Sequence, residues 1–264
     1  MAVSFDAATA SSRAVGGADP FTFTHTPVGT PRGVFVGAAY GAAGSNPAVW
    51  GTTTYGGVTM TRLSSADAIA FKAAGEFGGT ALWFLGTGIP TGAQTVSVDM
   101  TSDATSEFFC VTVTGANDTE VVDSEGKTNQ AASNLAFVDL SYAGRTCLAV
   151  ASVWTARNGP GDLTPAAGVT EIGAGVDHGS CSSQAIRQTT AGTTDFQIAE
   201  NITIANDVWC MTAAAVAEIN TARVTQLAIE TLYTPTSNLR ATQLAVETLV
   251  GPEPSFIPPA TLIL

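Results

Sequence analysis

The chain has 264 residues, 45% of them apolar and only 12% charged, with 27 glycines and 12 prolines, a composition that excludes a disordered acidic tail and a coiled coil. Acidic residues outnumber basic ones 22 to 10, for a formal charge of −12, and lysine occurs only at Lys72 and Lys127; no basic face is on offer to nucleic acid or to an anionic membrane. Residues 1–15 carry no lysine and no apolar run like that of a secretory leader, and Lys72 and Glu76 interrupt the richest apolar region before it reaches the roughly 18 residues of a spanning helix, so the expectation is a soluble protein assembled in a cytosol.

Along the chain, Thr, Val, Ala, Ser and Gly dominate and apolar residues tend to alternate with polar ones, which is the strand period. In Phe21-Thr22-Phe23-Thr24-His25-Thr26 the two phenylalanines and His25 share one face and the hydroxyls the other, with Pro27 and Gly29 closing the segment. Val34-Phe35-Val36 is a short buried run. Ser64–Ala74 is the one helix-like stretch, with Ser64 to Asp67 as a cap, Ile69 and Phe71 inside it, and Gly75 and Gly78 ending it. Gln94–Met100 alternates again, and 108–114, 135–140, 147–154, 196–204 and 208–219 read as further strands. Turn signals separate them: Ser45-Asn46-Pro47, Gly56-Gly57, Pro90-Thr91-Gly92, Asn158-Gly159-Pro160-Gly161, and Gly173 with Gly175. About ten short antiparallel strands of this kind predict an all-β sandwich, jelly-roll or immunoglobulin-like, of two sheets packed face to face over residues 1–219.

Residues 220–264 differ. Arg223-Val224-Thr225-Gln226-Leu227-Ala228-Ile229-Glu230-Thr231-Leu232 returns 17 positions later as Arg240-Ala241-Thr242-Gln243-Leu244-Ala245-Val246-Glu247-Thr248-Leu249, identical at eight of ten positions, and each copy is followed by a proline, Pro235 or Pro252. Strand and helix both give the repeat an amphipathic form, and its β-branched content favours strand. Two such short pieces cannot bury themselves alone. They predict an extended C-terminal arm that docks or oligomerises by strand addition, with Arg223, Leu227, Ile229, Leu232, Arg240, Leu244, Val246, Leu249, Phe256 and Ile257 as the interaction residues.

Chemistry-bearing patterns are sparse. Cys110, Cys147, Cys181 and Cys210 lack a CxxC pairing and read as buried small hydrophobes, a cross-link in an extracellular particle being the alternative. His25 and His178 are the only histidines, too few for a histidine metal site; His25 reads as a rim or hydrogen-bonded residue. Asp177-His178-Gly179-Ser180-Cys181 has hydrolytic residue types without a nucleophile elbow. Gly126-Lys127-Thr128 lacks the glycine a phosphate loop needs at position 121, where Val121 stands. Asp118, Glu120, Asp123 and Glu125 lack a calcium-loop frame and read as a solvated acidic loop. No catalytic residue, cofactor or metal is therefore expected, and the protein is not expected to be an enzyme. Trp83, Trp154 and Trp209 lie in apolar runs and read as core, whereas Trp50 and Tyr55, flanked by threonines and glycines, are the aromatic candidates for exposure and glycan contact.

Thr54-Tyr55-Gly56-Gly57-Val58-Thr59-Met60-Thr61, Ala81-Leu82-Trp83-Phe84-Leu85 and Gly88-Ile89-Pro90-Thr91-Gly92 leading into Thr95-Val96-Ser97-Val98 resemble a β-sandwich module of tailed-bacteriophage structural proteins, with Met60 in place of a leucine. The Arg-Val-Thr-Gln-Leu-Ala repeat is similar to a C-terminal element of such proteins. The resemblance implies a virion structural protein, a capsid decoration, collar or fibre subunit, with other virion proteins and copies of itself as partners and the virion as its location. A receptor- or glycan-binding module on a phage or cell surface, touching a host glycan, is the alternative.

Overall fold

The computed structural model describes residues 2–14, 16–43, 50–63, 66–72, 76–100, 105–116, 121–141, 145–156, 163–178, 182–190, 195–202 and 207–218. These residues form eighteen strands and no α-helix. All lie within one compact unit, Met1–Ile219. The repeat and the ten interaction residues from Arg223 to Ile257 fall outside the described residues.

Ten strands build the first half of the unit: β1 (Ser4–Arg13), β2 (Phe21–His25), β3 (Gly33–Ala43), β4 (Trp50–Tyr55), β5 (Val58–Thr59), β6 (Thr61–Arg62), β7 (Ala68–Lys72), β8 (Glu76–Leu85), β9 (Gln94–Met100) and β10 (Thr105–Thr114). Eight build the second: β11 (Asp123–Ser133), β12 (Leu135–Ser141), β13 (Cys147–Thr155), β14 (Leu163–Pro165), β15 (Thr170–Asp177), β16 (Ser182–Thr190), β17 (Asp195–Ile202) and β18 (Asp207–Ala217). The first half has one sheet in the order β1-β10-β3-β8-β6, with β7 also on β8, and another in the order β2-β9-β4-β5. The second half repeats this as β11-β18-β13-β16-β15 and β12-β17-β14. In each half the third strand lies between the last and the third-from-last (β10-β3-β8 and β18-β13-β16), and the next-to-last lies between the second and the fourth (β2-β9-β4 and β12-β17-β14), so the chain writes one strand order twice.

Side-chain alternation decides how the four sheets stack. Val34, Val36, Tyr40, Trp83 and Phe108 of the larger first sheet share a core with Trp50, Tyr55, Val96, Val98 and Met100 of the smaller one. The opposite face of that larger sheet, carrying Phe35, Leu82, Phe84, Phe109 and Val111, meets Leu148, Val150, Ile172, Ala214 and Val216 of the second half. The far face of the second half's larger sheet then packs Trp209, Met211 and Ile186 on Val138, Leu140, Ile198 and Ile202 of its smaller sheet. The two larger sheets are buried on both faces, which explains the near-continuous burial along β10, β13 and β18 and their largely apolar sequences. The single pair of sheets expected from sequence is thus corrected to four.

The halves touch closely because two glycines lie where they meet. A Cβ built on Gly78 would sit 1.9–2.3 Å from ring atoms of Trp154, and one on Gly126 would fall 2.5 Å from the Asp67 carbonyl oxygen. A hydrogen in place of a methyl lets the Trp154 ring approach β8, and lets β11 run beside the residues before β7.

Three further expectations change. The helix over Ser64–Ala74 is a strand where it is described, at Ala68–Lys72: Ala68 and Ala70 are buried while Ile69 faces out, the period of a strand. Asp67 does not cap; its carboxylate takes a two-pronged hydrogen bond from the Arg62 guanidinium. The acidic loop and the Gly126-Lys127-Thr128 stretch lie in part on β11, with Asp123 accepting from the Ser141 amide at 2.7 Å; Asp118 and Glu120 are outside the described residues.

Candidate functional site

The sequence-selected residues do not converge. Trp50 and Tyr55 are buried, with 7% and 0% of their surface exposed, which corrects the expectation of exposure. A register shift in β4 between Trp50 and Thr53 turns both inward although they stand an odd number of residues apart, and Trp50 packs edge-on against Tyr40 and Trp83 at centroid distances of 5.5 and 5.6 Å. No sugar ring can lie on either face. Trp83, Trp154 and Trp209 are core residues as expected. Cys110, Cys147 and Cys210 are buried, in keeping with their reading as small hydrophobes; Cys181 lies outside the described residues. Burial holds the Cys110 and Cys147 thiols protonated, the latter pushed up to about 12.

Polar groups instead gather in two constellations that sequence alone does not join. The first is set by a register shift in β1: Phe5 pairs with Val113 and Ala7 with Thr112, leaving Asp6 as the extra residue, and a bulge of this kind re-aims its side chain. Its carboxylate accepts the Gly29 amide at 2.7 Å, the Val28 amide at 3.2 Å and the Thr112 hydroxyl at 2.8 Å. Since Thr112 spends its proton on Asp6, His25 Nε2–H donates to Thr112 Oγ1 at 3.2 Å, and His25 Nδ1 accepts from Thr9 Oγ1 at 2.9 Å. One neutral tautomer satisfies the whole chain. Burial lowers the His25 pKa, with the nearby Asp6 charge acting against it. His25 is hydrogen-bonded as expected but sits in the core rather than at a rim.

This network fastens the turn that carries Val28, the most exposed of the large apolar side chains among the described residues. Replacing Thr112 by Val keeps the shape and removes the shared hydroxyl, leaving Asp6 short of an acceptor bond and His25 Nε2–H without its acceptor. We expect a loss of about 1–3 kcal/mol, read in chemical denaturation.

The second constellation joins the halves. Glu107 on β10 is buried, and its Oε2 accepts the Ser183 hydroxyl of β16 at 2.7 Å. Ser183 Oγ in turn lies 2.8 Å from His178 Nε2, which donates to it. The residue types are those of a hydrolytic triad, but the order is acid–serine–histidine. The serine proton is committed to the carboxylate, and the imidazole donates to Ser183 rather than withdrawing its proton, the reverse of nucleophile activation. Ser183 is also fully buried. The arrangement works as a clasp between β10 and β16. Burial drives the Glu107 pKa up to about 7, against the hydrogen bonds from Ser183 and the Ala185 backbone. Sequence reading had singled out His178 with Asp177 and Ser180; Ser180 is outside the described residues, and the serine that meets His178 is Ser183.

Among the described residues, no group of three or more His, Cys, Asp or Glu side chains gathers as a metal site. No protein family, curated protein or solved structure matches the chain.

Proposed function

We propose that this chain is a structural protein of a bacteriophage virion, a capsid-decoration, collar or fibre subunit, held to the particle by the repeat in residues 220–264. The observation that carries this reading is the near-identical pair Arg223–Leu232 and Arg240–Leu249, two short amphipathic segments that need a covering surface. Each half of the body is a jelly roll in this reading: its first, last, third and third-from-last strands face its second, next-to-last and fourth, the order found in capsid and lectin domains. A body buried through four sheets suits a load-bearing subunit. An acidic exterior keeps particles dispersed. The arm acts by burying Leu227, Ile229, Leu244 and Val246 on neighbouring virion chains or on other copies of itself. The glycan-binding alternative loses Trp50 and Tyr55 as contacts and has no other observation in its favour.

Truncation after Asn220 tests the anchor. The shortened protein is expected to keep its far-ultraviolet β signature and a cooperative melt, and to be missing from purified particles when it replaces the full chain. Normal incorporation would remove the arm from the mechanism.

A further inference from the structure

Glu200 sits inside the second half with none of its surface exposed, and neither carboxylate oxygen has a hydrogen-bond partner. It points between Ile198 and Ile202 into the core those residues form. Its neighbours on the adjacent strands are Pro165 and Ala136, neither of which brings a side-chain donor. A carboxylate left so is costly unless it is protonated or meets a cation.

Other oxygens lie on the same side. Gln188 stands two residues beyond Ile186 on β16 and so shares its core-facing side, and its Oε1 is also buried without a partner. Its amide lies against the loop from β14 to β15, where a Cβ on Gly168 would come within 3.0 Å of Nε2. Glu171, at the start of β15, is paired in register with Ile186 and is exposed at the rim. Its charge reaches Glu200: burial first, and then Glu171, raise the Glu200 pKa to about 8.

We propose that Glu200, Gln188 and Glu171 form a divalent-cation site under the β14–β15 loop, with calcium as the ion whose chemistry it fits. All the donors are oxygens, which selects a hard cation, and calcium accepts the uneven set of bidentate carboxylate, amide and rim carboxylate, completed by water or carbonyl groups. One divalent ion offsets both carboxylates, whereas a proton on Glu200 offsets only one. Glu171 at the rim provides the entry path. The site holds the β14–β15 loop to the core, and so acts on stability rather than on turnover.

The test uses the full chain, stripped with a chelator and held above pH 8, where Glu200 ionises. Calcium chloride is expected to raise the thermal midpoint by about 5 °C at saturation. E200Q, with an isosteric neutral side chain, is expected to show no calcium response. E171Q alters an exposed residue, so it carries the test even if E200Q fails to fold, and it should need about tenfold more calcium for the same rise. An unmoved wild-type midpoint, or a wild-type response in E200Q, overturns the site; a wild-type response in E171Q overturns the two-carboxylate arrangement.

Discussion

A Gly78→Leu variant is expected to lose about 3–5 kcal/mol, with a fall of roughly 10 °C in thermal midpoint or failure to fold at 37 °C. The reason lies in the approach of the two halves. The first added carbon, before any of the leucine branch, would lie within 2.3 Å of three atoms of the Trp154 ring system. That ring is fully buried and belongs to a small cluster with Ala68, Ala70, Val208 and Cys210, so it has no solvent into which to rotate. Cys210 Sγ also reaches the Gly78 carbonyl oxygen at 3.8 Å, and moving β8 away to relieve the clash breaks that contact. Trp154→Ala alone costs about 3–5 kcal/mol through the cavity it leaves. In the double variant the leucine branch occupies part of that cavity, and the two losses are expected to sum to clearly less than their separate values. Strict additivity in denaturant titrations would mean that the halves do not depend on this contact.

The second large effect is a dependence of stability on pH that runs opposite to that of most proteins. Glu107 and Glu200 both have folded-state pKa values above the ordinary 4.5, at about 7 and about 8, and burial is the main cause for each. The folded state therefore holds protons that the unfolded chain releases. The associated stability is fully present below pH 4.5 and is lost as pH rises through 7 for Glu107 and through 8 for Glu200. His25 acts at the other end: its pKa is lowered from 6.5, so its contribution is present above 6.5 and is lost as pH falls through the lowered value. With chelator present, E107Q and E200Q are each expected to be more stable than wild type by roughly 3 kcal/mol at pH 9 and to match it at pH 4. Urea midpoints across this range are the measurement. A wild-type stability that rises steadily from pH 5 to pH 9 would show that neither carboxyl is protonated in the folded chain.

Much of the secondary structure was legible because the outer strands alternate. Gln94–Met100 is bounded as β9, and Phe21–Thr26 differs from β2 by one residue. Strands of small or polar residues escaped: β1 reads Ser-Phe-Asp-Ala-Ala-Thr-Ala-Ser-Ser-Arg and β11 begins Asp-Ser-Glu-Gly-Lys-Thr. Their membership comes from ladder bonds to β10 and β18 rather than from their own burial. The doubled body was hidden for a related reason. Phe108-Phe109-Cys110-Val111-Thr112-Val113 and Val208-Trp209-Cys210-Met211-Thr212-Ala213 look alike when written out, yet Cys110 faces the smaller sheet of its own half and Cys210 faces the other half. A slip of one residue exchanges the faces of a strand, so apparent likeness between the two segments does not mark equivalent positions.

By itself the sequence determined that the chain is β-rich, that Trp83, Trp154 and Trp209 are core, and that residues 220–264 contain a duplicated segment. These properties follow from composition, period-two alternation and direct repetition, all of which are local. Tertiary structure alone decided that there are four sheets in two like-ordered halves, that Trp50 and Tyr55 face inward, and that Glu107 meets Ser183 while Glu200 meets no donor. Each of those depends on which strand lies beside which, and on which face of a sheet is covered. Residues 76 positions apart, as Glu107 and Ser183 are, become neighbours only once both larger sheets are closed and stacked, so no local pattern can announce them.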